Sequence, residues 1–395
     1  MCSFMLSKRQ PRTASRWKLN RLYFHARIML GLLFIAVISL AGLAKADPAK
    51  RGPAAVHSQY LCVSNNLQLF RISRRGTLES IPVSFADSLP LPQTDNVDEL
   101  LPDPHSHSLY VSWIMTYNQG SAIVSDINRM RVSQQGKLFS VFHQELALNS
   151  AVNRPRAFAL GEHGRLLLVV FASGTLSKAF LRAYHIQPHG PLHPFPKPVI
   201  LHNNFQSITT DPAGRFAYVT SANDSHIYQY AISLNAGLSP LAVPAVSTAA
   251  QPMSITFHPS GHFAYVTSQG GNVTLYRVEN NGQLSLSASY FFGKNKPALN
   301  LAIAPNGRFL YACLPRGNTF QYHIRANGTL QPLAPKAIPF GGYKIIVDLT
   351  SRFAYSLSTR VIYQYRIQSD GTLQPLIPGF VSRIGTPVTM AIIQN

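Results

Sequence analysis

Residues 258–287 read HPSGHFAYVTSQGGNVTLYRVENNGQLSLS, and this stretch recurs along the chain with its turns in the same places. Its clearest copies are DPAGRFAYVTSANDSHIYQYAISLNAGLSPL at 211–241, APNGRFLYACLPRGNTFQYHIRANGTLQPL at 304–333 and DLTSRFAYSLSTRVIYQYRIQSDGTLQPL at 348–376. Equivalent positions in these copies, Gly214, Gly261, Gly307 and Ser351, follow one another at 47, 46 and 44 residues. A fixed period of this size indicates a repeat architecture in which each copy is one supersecondary unit.

Each copy predicts four short strands joined by tight turns. The copy quoted first begins with a short apolar strand at 254–257, and a Pro-x-Gly turn follows at 259–261, where proline presets φ and glycine accepts a positive φ. The second strand, at 263–267, is β-branched and aromatic, and the third, at 273–278, alternates between two faces. The Asn-Gly pair at 281–282 is a strong hairpin signal, because type I′ turns need positive φ twice. A fourth strand completes the unit.

Fainter copies upstream complete the count of repeats. They begin near positions 162, 103 and 60, and the earliest lacks a first strand of its own. The C-terminal residues 387–392 match 252–257 and therefore resemble that missing strand. We predict an all-β fold, a seven-bladed propeller of four-stranded blades over residues 59–395. The C-terminal strand would pair with the N-terminal blade, which closes the ring and removes free sheet edges.

The N-terminus predicts export. The first 27 residues carry seven Lys or Arg and no acid, and an apolar run at 28–43 precedes Ala44-Lys45-Ala46. We interpret residues 1–46 as a signal peptide and 47–58 as a linker. An uncleaved anchor is the alternative, although the apolar run is shorter than the roughly 20 residues that a spanning helix needs. In either case the propeller is expected to be exported, as a periplasmic or secreted protein.

The charge of the chain favours anionic partners. Residues 47–395 contain 27 basic and 15 acidic side chains. In an exported protein this excess indicates an anionic small molecule, a glycan or another envelope component, and a partner protein is a further alternative. The basic residues are scattered and no recognition motif is present, so no specific nucleic-acid partner is expected. We expect a monomer that meets the membrane only through an uncleaved N-terminal segment, without a cofactor or a metal.

Two of the three cysteines belong to the repeat. Cys2 lies in the signal segment, whereas Cys62 and Cys313 each follow a repeat tyrosine by two residues. Their blades would be separated by one other blade, which puts the two Cα atoms beyond the reach of a disulfide. We therefore expect two free, half-buried thiols.

The Pro-x-Gly-Arg-Phe-Ala-Tyr-Val-Thr run at 212–220, together with the downstream Asn-Gly turns, resembles the lactonase-type seven-bladed propellers. This is the 6-phosphogluconolactonase and carboxymuconate-cyclising family, with YVTN-type repeats, and the resemblance covers essentially all of 59–395. It implies lactone chemistry carried by a Pro-Arg-His on a first strand and an Asn-Glu-Leu after a second strand. Here 252–254 read Pro-Met-Ser and 268–270 read Ser-Gln-Gly, while 155–157 read Pro-Arg-Ala. The acid/base residues of the family are absent from these positions.

The blades should bring the starts of their first strands together at one channel mouth. Going round the ring, the aligned pairs are Asp98-Glu99, Arg156-Ala157, Gln206-Ser207, Met253-Ser254, Leu299-Asn300, Tyr343-Lys344 and Val388-Thr389. Convergent polar side chains in a concave site are typical of ligand binding. The predicted ligand-binding residues are Glu99, Arg156, Gln206, Asn300, Tyr343 and Lys344.

Within this set, Arg156 and Lys344 could hold a carboxylate or a phosphate, and Glu99 is the one candidate general base. A purely structural alternative is that Glu99 pairs with Arg156 on the adjacent blade.

The leading hypothesis is an exported lactonase-like propeller that binds a polar or anionic ligand, or a partner protein, without the catalytic residues of the family. The alternative is a lactonase-type hydrolase that opens a sugar lactone, using Glu99 with Arg156 or Lys344. A structural envelope or adhesion module is the third possibility, since propellers carry many unrelated functions.

Overall fold

Each copy of the repeat forms one antiparallel sheet, because short turns allow every strand to pair with the next. The turn at 279–283 has a positive φ at Gly282 but not at Asn281, so it is not the type I′ turn that the Asn-Gly pair predicts. The computed structural model describes residues 58–64, 67–82, 96–117, 122–133, 136–146, 154–172, 179–188, 190–201, 205–292, 300–314, 317–339, 341–382 and 389–395. The predicted signal peptide and linker lie outside these residues, apart from Ser58. No helix among the described residues is long and apolar enough to cross a membrane.

Seven sheets follow one another, here numbered as blades 1 to 7. Blade 1 consists of β1 (Gln59–Val63), β2 (Gln68–Ile72) and β3 (Leu78–Ile81), with β29 (Met390–Gln394) beside β1. Blades 2 and 3 consist of β4 (Asn96–Asp103), β5 (Ser108–Tyr117), β6 (Ala122–Val132) and β7 (Leu138–Leu146), then β8 (Arg154–Gly161), β9 (Leu166–Ala172), β10 (Ala179–His185), β11 (His193–Pro194) and β12 (Val199–Leu201). Both β11 and β12 pair with β10, and a single 3-10 turn, Glu162–Gly164, follows β8.

The remaining blades have four strands each. Blades 4 and 5 consist of β13 (Phe205–Thr210), β14 (Phe216–Ser221), β15 (His226–Ser233), β16 (Gly237–Ser247), β17 (Pro252–Phe257), β18 (Phe263–Ser268), β19 (Asn272–Val278) and β20 (Leu284–Phe291). Blades 6 and 7 consist of β21 (Asn300–Ile303), β22 (Phe309–Cys313), β23 (Thr319–Ile324), β24 (Leu330–Ile338), β25 (Lys344–Val347), β26 (Phe353–Leu357), β27 (Val361–Ile367) and β28 (Leu373–Ser382). The predicted all-β seven-bladed propeller is confirmed.

The hydrophobic core lies between the blades and shows that the ring is closed. Each buried cluster combines residues of two neighbouring blades, as Tyr218 of blade 4 packs with Ile255 of blade 5. The same holds across the junction of the chain ends, where Phe353 and Tyr355 of blade 7 pack with Leu61 and Phe70 of blade 1. Because every blade contributes apolar surface to both sides, burial of that surface favours a complete ring over an open array.

The repeat tyrosines of the second strands lock each blade to the next one. Their hydroxyl groups donate to the carbonyl oxygen of the glycine in the following blade's third-to-fourth-strand turn. The pairs are Tyr218–Gly282 and Tyr265–Gly328 at 2.6 Å, and Tyr311–Gly371 and Tyr355–Gly76 at 2.7 Å. All eight repeat tyrosines singled out from the sequence, four in second strands and four in third strands, are at most 5% exposed, which confirms them as core. They are Tyr218, Tyr230, Tyr265, Tyr276, Tyr311, Tyr322, Tyr355 and Tyr365.

A buried glutamine in the third strand makes a second bridge between blades. The side-chain oxygen of Gln364 accepts from the backbone N–H of Leu78 in blade 1 at 2.6 Å, and its amide donates to the carbonyl of Pro378 in its own blade at 3.0 Å. Gln229 and Gln321 repeat the arrangement in blades 4 and 6. The carbonyl groups that accept from these glutamines lie in the bulges of the fourth strands, where the ladder leaves them unpaired.

The closing strand pairs as expected, but in a different register from the one that the sequence match suggests. β29 is antiparallel to β1, and Ala391 stands opposite Cys62. In blade 5 the residue opposite the equivalent Thr267 is Ser254, so Ala391 takes the place of Ser254. The alignment of Thr389 with Ser254 is therefore wrong by two residues. Thr389 lies nearer the channel mouth, where its backbone carbonyl accepts from Ser64 N–H at 3.0 Å.

Both cysteines within the propeller are free, as predicted, but they are fully buried rather than half-buried. Cys62 and Cys313 lie in second strands whose two faces are covered by the neighbouring blades. Burial raises the pKa of the Cys62 thiol to about 12, and it raises the pKa of the Cys313 thiol as well. Neither thiol therefore has the thiolate character that a nucleophile needs.

Candidate functional site

The first strands of all blades run in the same direction, so the ring has two distinct faces. We call the face where the first strands begin the entrance face, and the face that carries the turns after the first and third strands the turn face. The predicted ligand-binding residues all belong to the entrance face.

Blades 2 to 5 share a β-bulge at the start of their first strands. The ladder passes directly from Val97 to Glu99, and the same shift recurs in the three blades that follow. The skipped residues are Asp98, Arg156, Gln206 and Met253. A bulge changes the direction of a strand and of the side chains beside it, and it recurs next to functional sites. The side chains of Arg156 and Gln206 lie outside the described residues, and so does their predicted role.

Three predicted elements meet where blades 7, 1 and 2 adjoin. Lys344 begins β25 of blade 7, and its Nζ donates to Oγ1 of Thr389, at the start of the closing strand of blade 1, at 2.5 Å. Glu99 of blade 2 interacts electrostatically with the same ammonium group. The structure thus brings Glu99 and Lys344 together across the closing strand as charge partners.

The surroundings of Lys344 oppose its positive charge. Removal from water lowers the pKa of its ammonium group from the ordinary value, and the nearby Glu99 carboxylate offsets part of that shift. A half-buried cation of this kind gains from a further anionic partner, because an anion compensates for the hydration that burial removes. The site can therefore hold a carboxylate or phosphate, or it can present a lysine that gives up its proton unusually easily.

Asn300 and Tyr343 have partly structural roles. The side-chain oxygen of Asn300 accepts from the backbone N–H of Ile345 at 3.0 Å and so ties blade 6 to blade 7. Tyr343 is half-buried against the cluster between blades 7 and 1, and its backbone N–H donates to Leu357 O at 2.9 Å. Asn300 thus holds the backbone next to Lys344, and Tyr343 directly precedes it in the chain.

The opposite arc of the mouth carries hydroxyl groups instead of charge. Ser207 and Thr220 in blade 4 bond through their hydroxyls at 3.0 Å, and Ser254 and Thr267 in blade 5 do so at 2.9 Å. The entrance face thus combines a charged arc at blades 7, 1 and 2 with a neutral polar arc at blades 4 and 5. Thr389 was among the aligned strand starts but not among the predicted ligand-binding residues, because its contact with Lys344 depends on the register of the closing strand.

No other chemistry stands out among the described residues. No three His, Cys, Asp or Glu side chains there are arranged to hold a metal ion. The buried Asp126 lies 3.1 Å from Nε2 of His143, and this pair belongs to the outer half of blade 2, away from the first strands.

Comparisons with known proteins agree with this architecture. Residues 202–338 match the family described as Lactonase, 7-bladed beta-propeller. The matched residues include blades 4 to 6, and the seven blades of the ring are the architecture that the description of this family names. No curated protein matches the chain in sequence.

Similar solved structures include three proteins whose descriptions name a gluconolactonase or a 6-phosphogluconolactonase. A Bacteroides fragilis protein assigned as a 6-phosphogluconolactonase shares 17% identity at a TM-score of 0.69, covering 87% of this chain and 100% of that one. The periplasmic gluconolactonase of Pseudomonas aeruginosa shares 16% identity at a TM-score of 0.69, covering 85% and 99%. A Bacteroides uniformis protein with the same assignment as the first shares 17% at 0.67, covering 85% and 99%. At these identities the likeness shows the common fold.

Proposed function

We propose that this protein is an exported propeller that binds a small polar or anionic ligand at its entrance face. The observation that carries the proposal is the convergence of Glu99, Lys344 and Thr389 from three successive blades. The ammonium of Lys344 would contact the anionic group of the ligand, and the hydroxyl-lined arc at blades 4 and 5 would face its neutral polar groups. A charge-assisted bond of this kind contributes about 1.5–3 kcal/mol.

The first strand of blade 5 supports binding rather than the chemistry of the lactonase family. At the place of the Pro-Arg-His motif, Met253 occupies the bulge and Ser254 bonds to Thr267. At the place of Asn-Glu-Leu, the backbone N–H of Gln269 donates to Gln251 O. Neither segment supplies an acid, a base or a cation.

The second candidate function is hydrolysis of a sugar lactone, favoured by the lowered pKa of Lys344 beside Glu99. Water would attack the lactone carbonyl carbon and give its proton to the neutral amine or to the carboxylate. The ring C–O bond would then break, the leaving ring oxygen would take the proton back from the same group, and a hydroxy acid would form. Proton transfer by a positioned group of this kind contributes about 10²- to 10⁴-fold to a rate.

Binding and hydrolysis can be tested with the same proteins. Titration calorimetry with 6-phosphogluconate should show binding that weakens at high salt and falls at least tenfold in Lys344→Met. The control is Lys336→Met, since Lys336 is exposed and lies over Phe320 at 5.7 Å on the outer strand of blade 6. Absence of saturable binding at either salt concentration, or equal loss in both variants, would refute the binding site.

The lactonase alternative has its own readout. Ring opening of glucono-1,5-lactone is followed against spontaneous hydrolysis for the wild type and for Glu99→Gln. A catalysed rate that the substitution abolishes would establish the alternative, whereas a rate equal to background would exclude this substrate.

Export is part of the proposal. The basic, apolar and Ala-Lys-Ala segments of residues 1–46 support it, and one similar fold belongs to a periplasmic protein. Mass spectrometry of the protein recovered from cells should show a chain that begins at Asp47. A full-length chain retained in the membrane fraction would indicate the anchored alternative, and a full-length chain in the cytosol would contradict export.

A further inference from the structure

The turn face holds a cavity of about 430 Å³ that the entrance-face site does not use. It is lined by the ends of the first strands of blades 2, 3, 4 and 5 and by the turns that follow them. Its volume lies in the range of about 300–1,000 Å³ that is typical of small-molecule sites. Since the first strands begin on the other face, this cavity is distinct from the site around Lys344.

Four polar side chains line the cavity without a hydrogen-bond partner among the described residues. His105 and His163 come from the turns of blades 2 and 3, and Thr209 and Thr256 from the first strands of blades 4 and 5. The two imidazole rings meet edge to face, with centroids 5.8 Å apart. Unused donors and acceptors that converge in one concavity indicate a ligand with several polar groups of its own.

The turn that carries His163 is strained and firmly held. Glu162 and His163 have φ of 50° and 54°, the left-handed region that favours glycine. The backbone N–H of Glu162 donates to Gly214 O at 2.7 Å, which ties this turn to the next blade. A strained backbone persists only where its surroundings enforce it, and such positions cluster at ligand sites. The strain places the imidazole of His163 over the cavity.

The cavity is lined in part by apolar side chains, and one of its turns carries an exposed arginine. Phe158 and Phe257 line it beside the polar groups, so a ligand must also present a C–H surface. The carboxylate of Asp211 is 4% exposed and accepts from two backbone N–H groups of its own turn, at 2.6 and 2.8 Å. The guanidinium of Arg215, which follows in the same turn, is 61% exposed; its Nε lies 3.7 Å from the Asp211 carboxylate, and the group lies over the ring of Phe216 at 5.2 Å. In this turn the arginine therefore exposes its charge to solvent, whereas its carboxylate partner is buried.

We infer that the turn-face cavity is a second binding site, which takes a monosaccharide-sized sugar acid. The sugar hydroxyls bond to Thr209, Thr256 and the two imidazoles. The C–H face of the ring packs against Phe257, and the carboxylate points toward Arg215. The arrangement favours a ring that carries one carboxylate over the same ring without it.

The test is calorimetric titration of the full chain with methyl glucuronoside and with methyl glucoside, which lacks the carboxylate. The glucuronoside should bind saturably and at least tenfold more tightly than the glucoside. His163→Gly removes the imidazole while glycine accepts the left-handed backbone, so it should weaken binding at least tenfold without lowering the melting temperature. Thr209→Val with Thr256→Val should weaken binding by a similar factor.

Two matched control variants show whether the binding belongs to this cavity. His262→Ala removes an exposed histidine from the equivalent turn of blade 5, outside the cavity, and should leave affinity unchanged. Lys336→Met removes an exposed lysine from the outer strand of blade 6 and should also leave it unchanged. The His163 and threonine substitutions lie on the turn face, which keeps this result independent of the proposed function. Absence of saturable glucuronoside binding, equal affinity for both glycosides, or wild-type affinity in His163→Gly and in the threonine double variant would each overturn the inference.

Discussion

The bond between Tyr355 and Gly76 should contribute measurably to stability, because it joins the last blade to the first. The Tyr355 hydroxyl donates to Gly76 O at 2.7 Å, and the tyrosine is fully buried. Burial also raises the pKa of this phenol well above its usual value, so the group remains a donor at alkaline pH. Tyr355→Phe removes the donor and keeps the ring in place.

The expected cost follows from the acceptor that is left behind. A buried carbonyl that loses its donor destabilises a protein by about 1–3 kcal/mol, while retention of the ring avoids a large cavity. Tyr265→Phe and Tyr311→Phe should cost a similar amount, since they break the same bond at other junctions. Tyr60 is the matched control, because it is equally buried and its hydroxyl has no partner among the described residues. Tyr60→Phe should change stability by less than about 0.5 kcal/mol or increase it.

Urea unfolding followed by circular dichroism measures these differences. The midpoint should fall for Tyr355→Phe with an unchanged m-value, because the surface exposed on unfolding stays the same. If Tyr60→Phe cost as much as Tyr355→Phe, the loss would belong to the phenol in general and the inter-blade bond would not explain it.

Three further expectations concern other parts of the molecule. Gly282→Ala should lower the free energy of unfolding by more than about 1 kcal/mol, because φ is +84° and the added Cβ would lie 2.4 Å from the ring of Phe216. Urea unfolding measures this loss. Gly270→Ala should cost far less, since the nearest atom to its added Cβ lies at 3.5 Å. Because the pKa of Lys344 is lowered, its ammonium group loses its proton at a pH below the usual lysine range. Affinity for an anionic ligand, measured by calorimetric titration, should therefore fall as the pH rises through that lower range. Lys344→Arg should remove this pH dependence, because arginine stays protonated. Cys62, with a pKa raised to about 12, should resist thiol reagents at pH 8 in the native protein and react once urea unfolds it; rapid native labelling would contradict its burial.

The fold was predictable because its determinants are local. The Asn-Gly turn at Gly282 needs a positive φ, and this requirement is legible in the sequence. The tyrosine at 265 recurs at a fixed distance from that turn, and the structure gives the reason in its bond to the next blade. Repetition made seven blades countable, and the unmatched first strand pointed to closure by the C-terminus.

The candidate site was predictable only as a set of positions. The aligned strand starts included Lys344, Glu99 and Thr389. The alignment did not show that Lys344 interacts with the other two. The sequence offered a pairing of Glu99 with Arg156 of the adjacent blade as a structural alternative, and the side chain of Arg156 lies outside the described residues. Lys344 reaches Glu99 from two blades away, across the closing strand. A long side chain and a two-residue difference in strand register decide this contact, and no local pattern records either.

The sequence by itself determined the repeat, the turn chemistry, the blade count and the ring closure, since each depends on residues close together in the chain or on an unpaired strand. Only the tertiary structure decided the register of β29, the bulges at the starts of four first strands and the cavity on the turn face. His105, His163, Thr209 and Thr256 come from four separate repeats. Their proximity arises from the curvature of the ring, which packing between the blades sets and which no single repeat contains.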